Sequence, residues 1–155
     1  FLITEAIPEP IDMAFTIDYA TSFYWHREGP GILTGFSRKD MEPGFDLARD
    51  EDFPERLAEL AAVRAPALLD LGVRTGWAGL YETTPDHNAL LGEAENVRRF
   101  LYATGFSGHG FLQGPAIGAC LSELILDGAA KTVDISAFRP SRFAEGVLAQ
   151  EHNVI

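Results

Sequence analysis

Apolar and polar positions alternate through most of the first half of the chain, and a three-to-four-residue period replaces that alternation in two stretches. Phe1 to Ala6 (FLITEA) is an apolar run of strand length closed by Pro8 and Pro10, and Met13 to Asp18 is a second candidate strand. Ser22 to Arg27 (SFYWHR) is aromatic and extended. Glu28-Gly29-Pro30-Gly31 has turn chemistry and Ile32-Leu33-Thr34 returns, which predicts a hairpin. Residues 36–50 are polar around Pro43-Gly44 and read as a loop. Asp52 with Glu55 forms a capping-box pattern, and Leu57, Leu60, Ala61 and Arg64 continue at helical spacing until Pro66. Val73 to Thr83 (VRTGWAGLYET) is a long extended run with Trp77, Gly79 and Tyr81 on one face.

Thr84 to Asn88 is a turn, Ala89 to Leu91 a short strand, and Glu93 to Asn96 a second turn. The stretch Arg98–Gly128 organises the chain. An aromatic strand (Phe100 to Ala103) breaks into a loop carrying Gly105, Gly108 and Gly110, and a helix is expected to start at Gly114-Pro115. Ile117, Leu121, Leu124 and Ile125 share one face of it, and Gly128 suits its C-cap. Val133 to Ile135 and a basic, aromatic tail follow. The pattern reads as α+β, mostly antiparallel, with few and late helices.

Composition narrows the function. The 155 residues are 46% hydrophobic and 23% charged, which fits an ordinary globular protein with a packed core. A net charge of −11, with no basic cluster to override it, disfavours a nucleic-acid partner. No apolar run is long enough to span a membrane, and the single Cys120 excludes an intrachain disulfide. The expected setting is soluble and reducing, hence cytoplasmic. The chain opens in mid-strand without a methionine, so it is expected to be a piece of a longer protein.

Candidate chemistry concentrates in the glycine loop. Gly108-x-Gly110-x-x-x-Gly114 between a strand and a helix approaches a dinucleotide fingerprint, but no further βαβ unit follows, so a self-contained dinucleotide fold is rejected. Ser107 lacks the glycine two residues on that a nucleophile elbow needs, because His109 stands there. It reads as a loop serine, and His109 as a ligand-positioning group. His26, His87 and His152 are scattered and no metal is expected. Asp86-x-Asn88 suits a turn, and Cys120, amid Ala116, Gly118 and Ala119, a core thiol. The unpaired N–H groups of the helix start would attract an anion or an electron-rich ligand edge. A non-enzymatic module binding an anionic ligand there remains the alternative.

WAGLYETTPDHNALLG at Trp77–Gly92, followed by ATGFSGHGFLQGPAIGACLSELILDG at Ala103–Gly128, resembles the C-terminal part of the FAD-dependent amine and amino-acid oxidoreductases. That family includes sarcosine oxidase, glycine oxidase, D-amino-acid oxidase and dimethylglycine dehydrogenase. Asp134-Ile135-Ser136 and Arg139–Phe143 (RPSRF) fit its closing segment, whereas the first half resembles its antiparallel substrate domain only loosely. The resemblance implies a substrate-domain portion over residues 1–84, a flavin-side segment over 85–155, and an N-terminal dinucleotide-binding half that these residues do not contain.

It also implies non-covalent FAD lined by Gly105, Phe106, Ser107, Gly108, His109, Gly110, Phe111 and Leu112. Tyr81 and His109 are the implied catalytic residues, and Tyr81, Tyr24 and Trp25 the implied substrate side. The implied reaction is hydride transfer from the C–N unit of a secondary amine or amino acid to flavin, with the fragment inactive alone. Two positions depart from the monomeric sarcosine oxidases. Gly79 replaces the cysteine that links flavin covalently, and Leu112 replaces a lysine associated with oxygen activation, which leaves a dehydrogenase or a slow oxidase open.

Overall fold

The computed structural model describes residues 1–8, 12–38, 41–48 and 50–152; Pro10, expected to help close the first strand, lies outside them. The chain divides into a unit of Phe1–Leu80 and a second that begins at Tyr81. The first is built on a five-stranded antiparallel sheet in the order β2-β3-β4-β1-β5, from β1 (Leu2–Thr4), β2 (Thr16–Asp18), β3 (Phe23–Glu28), β4 (Gly31–Gly35) and β5 (Val73–Gly76). The predicted hairpin is β3–β4. Glu28 pairs with Gly31, and Gly29 takes the positive φ of +56° that its two-residue loop needs.

One sheet face packs on α1 (Phe53–Arg64). Leu2, Phe23, Phe53, Leu57 and Ala61 form the buried cluster, with Trp25, Phe36 and Leu60 packed against it. Alternation along β3 therefore sends Phe23 and Trp25 to the helix side, their rings 5.0 Å apart, and Tyr24 and His26 to the opposite side. There Phe15 lies 5.9 Å from the Tyr24 ring and 5.1 Å from His26. The expected helix forms where Asp52 stands at the N-cap, but the capping box does not close, since Asp52 makes no side-chain cap bond. Its carboxylate lies 3.5 Å from Arg38 and 4.0 Å from Arg56 instead. At the other end Arg64 pairs with Asp18 of β2 at 2.8 Å, and Pro66 opens a 3-10 turn. The guanidinium of Arg64 holds the Asp18 carboxyl below its ordinary pKa.

Val73–Thr83 is not one long strand. Regular pairing ends at Gly76, and Trp77 still exchanges hydrogen bonds with Phe1, its N–H donating to the Phe1 carbonyl at 3.2 Å. Residues 78–83 form no strand, and the Glu82 carbonyl there accepts the Ser107 N–H at 3.0 Å.

The second unit carries a two-stranded antiparallel pair, β6 (Leu90–Glu93) and β7 (Leu101–Thr104), with Leu90 opposite Thr104. Helix α2 spans Gly110–Asp127 and ends on Gly128 at φ +78°, as the C-cap glycine predicted. It starts earlier than expected, so Pro115 lies inside it and denies the Phe111 carbonyl its usual donor. Two features make this tolerable. Gly114 has no Cβ to meet the proline ring, and Phe111 is 95% exposed. Cys120 is the one buried α2 residue, with Ile117, Leu121 and Leu124 partly covered, whereas Ile125, expected on the same face, is 67% exposed.

The short Val133–Ile135 run forms no strand. Asp134 accepts the Ser136 N–H at 2.9 Å and starts a 3-10 turn, Ser136–Phe138, before the short helix α3 (Arg142–Glu145). Among the described residues no helix is long and apolar enough to cross a membrane.

Candidate functional site

β7 runs out at Thr104 into the loop Gly105–His109, which delivers the chain to the α2 N-terminus. Gly105, Ser107 and Gly108 all adopt left-handed backbone, with φ of +70°, +50° and +95°. For Gly105 the reason is double. The conformation favours glycine, and a Cβ would stand 2.5 Å from the Thr84 methyl. Ser107 is a non-glycine residue in the same region, and hydrogen bonds fix it there. Its N–H donates to the Glu82 carbonyl at 3.0 Å, and its hydroxyl donates to the Gly105 carbonyl at 3.3 Å, 1% exposed. A hydroxyl so engaged is a loop-shaping group, in line with its reading as a structural serine. Phe106 packs against Gly110, where a Cβ would meet its side chain at 3.1 Å, and its carbonyl accepts the His109 N–H at 2.9 Å.

His109 is the N-cap residue of α2, and its side chain makes no cap bond. No acidic residue occupies the first turn either. The helix itself thus supplies no acidic side chain to offset the positive end of its dipole, beside an exposed Gly108. Phe111 and Leu112 follow, 95% and 82% exposed. A glycine backbone that permits close approach, uncapped amides and flanking apolar side chains fit the electron-rich edge of a planar ring system.

Two groups that the sequence reading passed over hold this loop. Glu82 takes the Thr104 hydroxyl and the Gly105 N–H on one carboxylate oxygen, each at 2.9 Å. Behind it the Thr84-Pro85-Asp86 turn is locked by Arg142. The guanidinium donates to both oxygens of Asp86 at 2.8 Å and to the Asn88 carbonyl at 2.8 Å, with Asp86 and Arg142 both 0% exposed. Thr84 donates its hydroxyl to the Asn88 carbonyl at 2.7 Å, which aims its methyl at Gly105. The Arg142 pairing outweighs burial and brings the Asp86 pKa down to about 2. Arg142 had been part of an undifferentiated basic tail. The available signal was an arginine in an aromatic frame, RPSRF, and its ring contact is real: the guanidinium carbon lies 4.3 Å from the Phe143 centroid.

Of Gly105 through Leu112, Gly108, Phe111 and Leu112 are exposed, whereas Gly105 and Ser107 are buried. Tyr81, 50% exposed, is the neighbour of the clamping Glu82. Tyr24 and Trp25 belong to the sheet unit and point to opposite faces of it. No group of three or more His, Cys, Asp or Glu side chains among the described residues could hold a metal ion.

The second unit thus presents a strand, a loop with left-handed glycines and a helix start without a side-chain cap. Residues 2–124 match the FAD dependent oxidoreductase (DAO) family, and the chain belongs to it. FAD is the cofactor of that family. The chain is 39% identical over 85% of its length to bovine FAD-dependent oxidoreductase domain-containing protein 1, of which it spans 28%. It is 30% identical over 83% of its length to mouse mitochondrial sarcosine dehydrogenase, spanning 15% of that protein. Among solved structures, L-proline dehydrogenase from P. horikoshii superposes with a TM-score of 0.88 at 31% identity, over 96% of this chain and 40% of the other.

Proposed function

We propose that this chain forms the flavin-covering and substrate-side part of an oxidoreductase that oxidises the C–N unit of a secondary amine or amino acid. The observation that carries the reading is the Gly105–Gly110 loop opening into the uncapped start of α2. When bound, FAD supplies the hydride acceptor for this chemistry. The chain's own part is to hold and polarise: the loop lets a flat ring approach the backbone, and the helix start stabilises negative charge developing on the ring edge. Tyr81 and His109 are the polar side chains proposed to face the substrate. The family relatives named for sarcosine and L-proline point to a secondary amine bearing a carboxylate. The diphosphate clamp is proposed to come from residues outside this chain.

The test uses the longest natural reading frame that contains these residues, purified and mixed anaerobically with sarcosine, L-proline or glycine. Bleaching of the oxidised flavin band by one of them is the expected result. Recovery of the colour should be fast with an artificial electron acceptor and slow with oxygen, because Leu112 brings no positive charge. A colourless protein that takes up no FAD would remove the enzyme reading and leave a non-enzymatic anion-binding module.

A further inference from the structure

Resting on the flavin reading, we propose that Glu82 is the positioning residue of the Gly105–Gly110 loop. Its contacts reach three successive parts of the turn. One carboxylate oxygen accepts the Thr104 hydroxyl and the Gly105 N–H, at 2.9 Å each, and the Glu82 carbonyl accepts the Ser107 N–H at 3.0 Å. The loop has unusual need of such support. It holds Ser107 at φ +50° between two left-handed glycines, a conformation that an unsupported chain leaves readily. The contacts from the other side do not replace it: Thr84 meets Gly105 through a methyl group alone, which restricts the loop without hydrogen-bonding it. A carboxylate accepting from a backbone N–H is also stronger than a neutral acceptor would be.

The proposal separates from a merely local cap by the behaviour of Ser107. Glu82→Ala removes the bonds to Thr104 and Gly105 but leaves the main-chain acceptor of Ser107 in place. Amide hydrogen exchange is followed in the full natural protein stripped of flavin. Removing a charged acceptor should speed exchange at Gly105 by about tenfold or more, and at Ser107 in step with it if Glu82 positions the whole turn. Glu82→Gln keeps an acceptor and should bring both amides back to within about threefold of wild type. On refilling, Glu82→Ala should bind FAD about tenfold more weakly, with the melting temperature of the apoprotein unmoved. Faster exchange at Gly105 with Ser107 unchanged would overturn the proposal, and so would a glutamine variant as loose as the alanine one. If Ser107 loosens as expected while wild type itself takes up no FAD, the flavin reading fails and the positioning role stands.

Discussion

Arg142→Ala is expected to cost about 3–5 kcal/mol, enough to leave the Tyr81-onward unit marginal or unfolded. The two charges are both 0% exposed and meet through paired 2.8 Å bonds, so removing the guanidinium leaves the buried Asp86 carboxylate without its counter-charge, held only by the Thr84 hydroxyl at 3.1 Å and the Asn88 N–H at 3.2 Å. It also deprives the Asn88 carbonyl of a donor at 2.8 Å. Replacing both partners with apolar residues of similar bulk (Asp86→Leu with Arg142→Met) should do less harm than either single change, because no uncompensated charge is left. Urea unfolding of the three variants decides the matter, and an Arg142→Ala protein within 1 kcal/mol of wild type, as an order-of-magnitude margin, would refute it. Acid should act on the same pair. Arg142 depresses the Asp86 pKa from 3.8 to about 2 in the folded protein. The stabilisation is therefore present above the unfolded-state value near 3.8 and is lost as pH falls through about 2. An unfolding midpoint followed across that window should drop in wild type, and this component should be missing from the doubly apolar variant.

Gly105→Ala is expected to abolish flavin retention and to cost about 2–4 kcal/mol, from left-handed strain of about 1–2 kcal/mol and an overlap of similar size. The new Cβ would lie 2.5 Å from the Thr84 methyl, and Thr84 cannot give way while its hydroxyl is tied to the Asn88 carbonyl at 2.7 Å. The partner substitution is Thr84→Ser, which deletes the methyl and keeps the hydroxyl. In the double variant the overlap disappears and only the φ +70° strain remains, so part of the stability and some bound flavin should return. A double-mutant cycle on unfolding free energy measures this coupling. Additive effects would mean that Thr84 does not wall the loop.

Local chemistry made much of this legible from sequence. The β3–β4 hairpin follows from Gly29-Pro30, the α2 C-cap from Gly128, and the left-handed turn between β7 and α2 from Gly105 and Gly108. The family was legible through the spacing of TPD, GFSGHGF and the helix that follows, and the match over residues 2–124 agrees with that resemblance. What escaped depends on partners distant in sequence. The extended pattern of Val73–Thr83 could not reveal that its strand pairing with β1 ends at Gly76. Pro115 obeyed the usual preference for a helix start, yet Gly114 and an exposed Phe111 let the helix begin earlier. Tyr24 and Trp25 are neighbours in sequence, and pleating parts them. Glu82 and Arg142 were invisible as functional groups because a lone carboxylate and a lone guanidinium announce nothing until the fold brings their partners in.

The Asp86–Arg142 pair also sets an order of events at the ribosome. Its members are 56 residues apart, whereas the β6–β7 pair and the glycine loop lie almost wholly within that interval. Strand pairing and helix growth over short separations proceed as the chain emerges, while the lock must await the synthesis of residue 142 and the closure of a long loop. A nascent chain stopped just short of Arg142 would carry every glycine of the flavin loop and nothing to neutralise Asp86 behind it. A turn made well after the glycine loop thus decides whether that loop keeps its shape.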